Sequence, residues 1–234
     1  MHSAIIAHRG GATVPHRENT LSAFLSAIQL GADYVEFDIR QTSDHQLVVF
    51  HNDNINGQRL SSITYSKLRS IAAQYGCEVP LLTDVLRLCK GKIKLDIELK
   101  ETGYEESVVS LVKNDYAYDE FMIKSFNDIS VSRVKHIDPC VKTGLLIGRN
   151  KYFPFILKDF FPVSRLKKCG ADFVSPRYVL ATHGFIARMH FHKIGIFVWT
   201  PNTTKYISKY LKRRVDGIIT DYPGIALSLR ERKE

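Results

Sequence analysis

The feature that most constrains the fold is a regular alternation of strand and helix signals along all 234 residues. Short apolar runs rich in β-branched residues predict strands, and apolar residues spaced i, i+3, i+4 and i+7 predict helices. The strands that open a strand–helix unit begin at Ile5, Val35, Ile93, Phe121, Val141, Phe173, Ile196 and Gly217. Eight such units in a chain of this length predict an α/β protein with a closed (β/α)8 fold, the TIM barrel.

The chain shows no sign of a second domain. No linker, low-complexity tract or change of composition divides it, so we expect one domain over residues 1–234. Between the second and third barrel strands, turn signals at 52–57 are followed by helices expected over 65–73 and 82–89. This segment is short, and we therefore expect a small insertion there or none.

Composition limits the location and the partners. The apolar fraction of 44% excludes a disordered chain. No apolar run reaches the roughly 18 residues of a membrane helix, and no signal peptide is evident, so we expect a soluble, cytoplasmic protein without stable membrane insertion. The four cysteines lie far apart and predict free thiols. The oligomeric state stays open.

The net charge of +9 favours an anionic partner. Much of this charge lies in short clusters at the ends of predicted helices, where cations complement the helix dipole. No aromatic stacking motif accompanies the clusters, so we expect no nucleic-acid partner. Phosphate-containing small molecules remain the favoured class.

Residues 34–40 alternate strictly between apolar and polar side chains, with Glu36, Asp38 and Arg40 on one face. Two carboxylates about 7 Å apart along a strand repel each other unless a cation or a proton lies between them. This pattern indicates either a metal site or the solvated face of an edge strand. A strand inside a closed barrel has no solvated edge face, which favours the metal site.

Working residues of a barrel lie at the carboxyl ends of its strands. The polar residues at these ends are His8, Arg9, Glu36, Asp38, His51, Asp96, Glu98, Lys100, Lys124, Arg149, Arg177, Trp199 and Asp221. Glu98 lies on the neighbouring strand and could share one ion with Glu36 and Asp38. Three carboxylates without a cysteine or histidine cluster favour Mg²⁺ or Ca²⁺ over zinc. Nearby histidines and cations suit a phosphate oxyanion and a pair of proton transfers.

These residues fall into short motifs that occur in a fixed order. The motifs are His8-Arg9-Gly10, Glu18-Asn19-Thr20, Glu36-Phe37-Asp38, His51, Glu98-Leu99-Lys100, Trp199-Thr200-x-Asn202 and Ile219-Thr220-Asp221-x-Pro223. In this order the chain resembles the glycerophosphodiester phosphodiesterases over nearly its whole length. The TIM-barrel fold of that family agrees with the strand count.

The resemblance implies hydrolysis of a glycerophosphodiester, such as glycerophosphocholine or glycerophosphoethanolamine, to sn-glycerol 3-phosphate and an alcohol. By matching positions, Glu36, Asp38 and Glu98 would hold one divalent cation, Mg²⁺ or Ca²⁺. His8 and His51 would be the general acid and base, in an order that the sequence leaves open. Whether a cyclic phosphate forms first is open as well.

The same matching implies a set of substrate contacts. Arg9 and Lys100 would clamp the phosphate oxygens. Glu18 would support Arg9 or the metal ligands, and Asn19 is either a helix N-cap or a substrate contact. Trp199 is either barrel core or a wall of the substrate pocket.

Some positions depart from the family pattern or lie outside its motifs. Arg17 stands where the family usually has proline, and Asn52 stands where it usually has aspartate, a role that Asp53 could take over. Asp96 lies deeper than Glu98 and suggests an interior ion pair, a residue that supports the metal ligands or, as a further alternative, a ligand itself. Arg40 is expected to neutralise the acidic cluster from its margin.

Two other functions fit the same residues. One is a phospholipase D-like or phospholipase C-like activity on lysolipids, which the positive charge and the short insertion favour. The other is a phosphoester-binding module without turnover. A missing ligand or histidine would indicate the binding module, and the sequence retains all of them.

Overall fold

The computed structural model describes residues 2–11, 17–148 and 155–232. Its strands are β1 (Ala4–Ala7), β2 (Tyr34–Gln41), β3 (Leu47–Val49), β4 (Asn54–Ile55), β5 (Gln58–Arg59), β6 (Lys94–Leu99), β7 (Phe121–Ser125), β8 (Thr143–Ile147), β9 (Phe173–Pro176), β10 (Gly195–Trp199) and β11 (Gly217–Thr220). Its α-helices are α1 (Leu21–Gln29), α2 (Tyr65–Gln74), α3 (Leu82–Cys89), α4 (Glu105–Lys113), α5 (Asp128–Ile137), α6 (Phe155–Phe160), α7 (Val163–Cys169), α8 (His183–Phe191), α9 (Thr204–Lys212) and α10 (Pro223–Glu231).

Eight parallel strands close into a barrel. Their order around it is β1, β11, β10, β9, β8, β7, β6 and β2, and β1 also pairs with β2. This confirms the predicted TIM barrel. The predicted start of β8 at Val141 is two residues early, because pairing begins at Thr143 although Val141 is fully buried. β3 continues antiparallel to the end of β2 and lies outside the barrel ring.

The register of β2 against β6 decides which side chains enter the barrel. Glu36 pairs with Asp96, and Asp38 pairs with Glu98. The alternate residues of β2 point outward, where the ring of Phe37 packs 5.7 Å from that of Phe24 on α1. Because side chains alternate along a strand, a slip of β2 by one residue would turn Glu36 and Asp38 away from the interior.

The insertion between β2 and β6 is small, as expected. β4 and β5 form a hairpin whose turn residues, Asn56 and Gly57, both have positive φ, the geometry of a tight two-residue turn. The hairpin and α2 bury a separate apolar cluster that includes Leu60 and Leu68. No bulky subdomain therefore lies over the barrel mouth in this segment.

Aromatic and aliphatic side chains fill the amino-terminal end of the barrel. Phe173 and Phe197 lie with ring centroids 4.8 Å apart and contact Ile6, Met122 and Ile219 in the interior. At Gly144 a Cβ atom would lie 2.0 Å from the Phe173 ring, so only glycine fits there. This aromatic plug leaves the opposite end of the barrel for a substrate.

Two expectations from composition have structural counterparts. The four cysteines, at 77, 89, 140 and 169, are free thiols. Across the described parts of the chain, helices are too short or too polar to cross a bilayer.

Candidate active site

Three carboxylates meet at the carboxyl ends of β2 and β6. Glu36, Asp38 and Glu98 are all buried, and each offers an oxygen within 4.8 Å of oxygens from the other two. The structure thus brings together the three residues that the sequence suggests as ligands of one cation. All the donors are carboxylate oxygens, which is the set that Mg²⁺ and Ca²⁺ prefer.

The electrostatics of this acidic cluster favour a bound cation. Burial, together with repulsion from Asp38 and Glu36, raises the pKa of Glu98 to about 7, although Lys100 opposes the shift from 2.6 Å. Burial acts on Asp38 in the same direction, but Lys100 and Arg9 outweigh it and hold the pKa of Asp38 well below its usual range. A divalent cation bound among the three carboxylates would offset the repulsion that raises the pKa of Glu98.

Asn19 fixes Asp38 from the side. Its side-chain amide donates to Asp38 Oδ2 over 2.9 Å, and its Oδ1 accepts from the Asp38 backbone N–H over 3.3 Å. Asn19 has φ of 58° and is buried, whereas Thr20 caps α1 by accepting from the Ala23 N–H. The expected N-cap role of Asn19 is thus wrong by one residue, because its amide is committed to Asp38.

His8 follows β1 in a single 3₁₀ turn, with its ring between two carboxylates. Nδ1 lies 2.6 Å from Asp221 Oδ1, and Nε2 lies 3.9 Å from Glu36 Oε2. Asp221 is held in turn by Asn202, whose side-chain amide donates to it and whose Oδ1 accepts from the Asp221 N–H. Burial by itself lowers the pKa of His8, but Glu36 and Asp221 together raise it.

The sequence analysis places Asp221 and Asn202 in motifs near the carboxyl ends of β10 and β11 but assigns a role to neither of them. Their partner His8 lies at the opposite end of the chain, so spacing along the sequence cannot assign the contact.

His51 follows β3 and has a neutral partner. Its Nδ1 lies 3.0 Å from Asn52 Oδ1. Burial, with Lys100 and Arg9, lowers the pKa of His51 despite the opposing charge of Asp38. The idea that Asp53 substitutes for the aspartate usual at position 52 is wrong, because Asn52 itself contacts the ring and Asp53 accepts from Asn54.

Arg9 is held in an uncommon backbone conformation. With φ of 51°, its N–H donates to Glu36 Oε2 over 3.0 Å. One terminal nitrogen of its guanidinium donates to both oxygens of Glu18 at 2.9 Å, and Nε lies 3.3 Å from Asp38 Oδ2. Glu18 therefore supports Arg9, which was one of its two expected roles.

Lys124 and Asp96 form an ion pair deeper in the barrel. The Lys124 ammonium lies 2.6 Å from Asp96 Oδ2 and 3.3 Å from Glu36 Oε1. Burial raises the pKa of Asp96 to about 6, although Lys124 opposes that shift. The expected interior ion pair of Asp96 is present, and its partner is a lysine that also reaches the acidic cluster.

A cavity of about 560 Å³ opens above these groups. Trp199 forms part of its wall, and its ring meets that of Phe126 edge-on with centroids 5.6 Å apart. Arg40 lies at the rim, where it pairs with Glu101 and donates to the backbone carbonyl of His51. The site residues that line the cavity are His8, Arg9, Glu36, His51, Glu98, Lys100 and Trp199.

One expected strand-end residue, Arg177, lies away from this cavity. The Arg177 backbone pairs with that of Trp199, and its side chain does not line the cavity among the described residues. Arg149 lies outside the described residues.

A TIM barrel that carries an acidic cluster and two histidines at the carboxyl ends of its strands has the residue types that phosphoester hydrolysis requires. Residues 8–225 match the Glycerophosphoryl diester phosphodiesterase family. The chain belongs to this family and is an enzyme of the phosphodiesterase class.

Individual relatives agree with this assignment. A glycerophosphodiester phosphodiesterase of Caldanaerobacter subterraneus is 30% identical over 249 residues, covering 98% of each chain. The protein YhdW of Bacillus subtilis is 31% identical, covering 95% of this chain and 96% of its own. Lysophospholipase D GDPD1 of Homo sapiens is 28% identical, covering 93% of this chain and 83% of its own.

Solved structures share the fold. A glycerophosphodiester phosphodiesterase from Parabacteroides distasonis superimposes with a TM-score of 0.83 at 24% identity, covering 100% of this chain and 99% of its own. An Oleispira antarctica phosphodiesterase, solved in complex with the product sn-glycerol-3-phosphate, has a TM-score of 0.83 at 20% identity, covering 98% and 97%.

Proposed function

We propose that this enzyme hydrolyses small glycerophosphodiesters, such as glycerophosphocholine or glycerophosphoethanolamine, to sn-glycerol 3-phosphate and an alcohol. The observation that carries the proposal is that the acidic cluster, two histidines with different partners, and the positively charged side chains of Arg9 and Lys100 meet at one cavity. The Oleispira antarctica relative, whose structure contains sn-glycerol-3-phosphate, supports the choice of product.

Glu36, Asp38 and Glu98 would hold one divalent cation, Mg²⁺ or Ca²⁺. When bound, the cation would stabilise negative charge on the phosphoryl oxygens. Arg9 and Lys100 would bind the same phosphoryl oxygens. Both side chains contact carboxylates of the acidic cluster, and this supports a phosphate bound beside the cation.

The different partners of the two histidines support different roles for them. His8 touches the carboxylate of Asp221, which favours its protonated form, so His8 serves as the acid that gives a proton to the departing alkoxide. The His51 ring contacts the neutral amide of Asn52 and not a carboxylate among the described residues, so His51 serves as the base that takes a proton from the attacking hydroxyl group. The attacking group is either water or the 2-hydroxyl of the glycerol.

The remaining site residues position these groups. Glu18 orients Arg9, and Asn19 holds Asp38 rather than reaching the substrate. Trp199 and Phe126 offer apolar surface against which the glycerol carbons pack.

The proposal is tested by measuring release of glycerol 3-phosphate and free alcohol from a substrate panel in Mg²⁺, Ca²⁺ or Mn²⁺. His8→Ala and Glu36→Ala should each abolish release, and excess EDTA should do so reversibly. His136→Ala and Glu106→Ala, which change exposed residues of the same types, are the matched controls. Full turnover in EDTA, or in either site variant, would refute the proposal.

A second candidate is hydrolysis of lysolipids in the manner of a lysophospholipase D. The human relative of that name and the small insertion beside the barrel mouth favour it. Turnover of lysophosphatidylcholine that exceeds turnover of glycerophosphocholine would select this function.

A further inference from the structure

Lys124 is a buried cation that the proposed chemistry does not use. It lies on β7 opposite Glu98, and its side chain points into the barrel with 1% of its surface exposed. Lysine is rarely buried to this degree unless it is paired. Barrel packing alone therefore does not explain a buried lysine at this position.

Lys124 contacts one of the two carboxylate oxygens of Glu36. The Lys124 ammonium lies 3.3 Å from Glu36 Oε1, while the Arg9 N–H donates to Glu36 Oε2 over 3.0 Å. The carboxylate of Glu36 is thus held at both oxygens, from the barrel interior and from the loop after β1. Two held oxygens leave the carboxylate a single orientation.

Asp96 supplies the compensating charge. Its Oδ2 lies 2.6 Å from the Lys124 ammonium, and its side chain is fully buried. An ammonium this close to the acidic cluster would by itself oppose a divalent cation strongly in a medium of low dielectric. The Asp96 carboxylate offsets that repulsion while leaving the Lys124 ammonium in its ion pair with Glu36.

We propose that Lys124 is a positioning residue that orients Glu36 for the divalent cation, and that Asp96 balances its charge so that the cation still binds. The inference rests on the proposed metal site formed by Glu36, Asp38 and Glu98. Two separable effects follow. Cation affinity depends on the net charge of the Lys124–Asp96 pair, whereas the rate with the cation bound depends on Lys124 itself.

The test uses Asp96→Asn, Lys124→Gln and the double variant, which together change the buried charge by +1, −1 and zero. Lys142→Gln is the matched control, because it removes a lysine that lies over the Phe197 ring at the plugged end of the barrel. Binding of Mg²⁺, Ca²⁺ and Mn²⁺ is measured by calorimetry without substrate. Thermal unfolding, kcat and KM at saturating cation are measured on the same preparations.

Asp96→Asn should weaken cation binding about tenfold or more, because it leaves the ammonium uncompensated, and should keep kcat within about twofold. The double variant should bind the cation within about threefold of the original protein but lose about tenfold or more in kcat, with KM unchanged. Lys142→Gln should match the original protein throughout.

Original kcat in the double variant, or unchanged cation affinity in Asp96→Asn, would overturn the proposal and leave Lys124 as a simple partner of Asp96. Lys124→Gln leaves Asp96 buried without a counter-charge and can fail to fold, so the decision rests on the other two variants. Absence of cation binding by the original protein would overturn the metal site itself, and this inference with it.

Discussion

The neutral partner of His51 leads to a sharp prediction for the substitution Asn52→Asp. The Asn52 Oδ1 atom lies 3.0 Å from His51 Nδ1, and aspartate has the same shape as asparagine. The change therefore adds one negative charge next to the ring without altering the packing. Asn52 is exposed, so solvent screens the new charge substantially.

A charge at this distance in water-like surroundings is worth about 1 to 2 kcal/mol, which corresponds to a rise of about one unit in the pKa of His51. A general base works in its unprotonated form, and activity is therefore lost below its pKa. Raising that pKa moves the acidic limb of the kcat/KM profile upward by about one pH unit. On that limb the variant should be about tenfold slower, and on the plateau it should equal the original enzyme.

The assay is the pH dependence of kcat/KM for glycerophosphocholine at saturating cation. Asn56→Asp is the control, because it adds the same charge to the exposed turn of the nearby β4–β5 hairpin, at a residue with positive φ that aspartate tolerates. An upward shift of the basic limb instead would show that His51 is the acid. No shift beyond that of the control would refute the idea that Asn52 sets the protonation of His51.

Three further outcomes are expected. Asp221→Asn removes the charge that favours protonated His8. The basic limb of the kcat/KM profile should therefore move to lower pH, and kcat should fall about tenfold or more. An unchanged pH profile would contradict the assignment of His8 as the acid. Asn19→Ala should weaken cation binding and lower the free energy of unfolding by about 1–3 kcal/mol, and Asn19→Gly, which relieves the positive φ, should recover stability without recovering cation affinity. Phe37→Ala should lower the free energy of unfolding by about 3–5 kcal/mol, because the fully buried Phe37 ring packs on Phe24. Denaturant titration measures this loss, and a loss below about 1 kcal/mol would contradict that packing.

The barrel and its acidic cluster were accessible from the sequence because both depend on strand periodicity. The alternation along residues 34–40 places Glu36 and Asp38 on one face whatever the rest of the chain does. In a closed barrel the apolar face of this strand packs against the helices, so the face with Glu36 and Asp38 points into the barrel interior. The register between β2 and β6, which sets Asp38 opposite Glu98, follows from burying the apolar residues of both strands.

The contacts that hold the site were not accessible in this way. Asn19 and Thr20 are equally good helix caps by residue type, and only the positive φ of Asn19 separates their roles. Lys124 contacts Asp96 across the barrel interior. Asp221 contacts His8 where the first and last barrel strands meet. Such contacts depend on tertiary distances, which local propensity does not encode.

The pairing of His8 with Asp221 joins residues 213 positions apart across the junction of the first and last barrel strands. Every ligand of the acidic cluster, in contrast, lies within the first 98 residues. During synthesis the three carboxylates are therefore made well before Asp221, whose carboxylate contacts His8 Nδ1. A chain interrupted before β11 contains every residue of the acidic cluster but lacks the strand that closes the barrel and the side chain that holds the His8 ring.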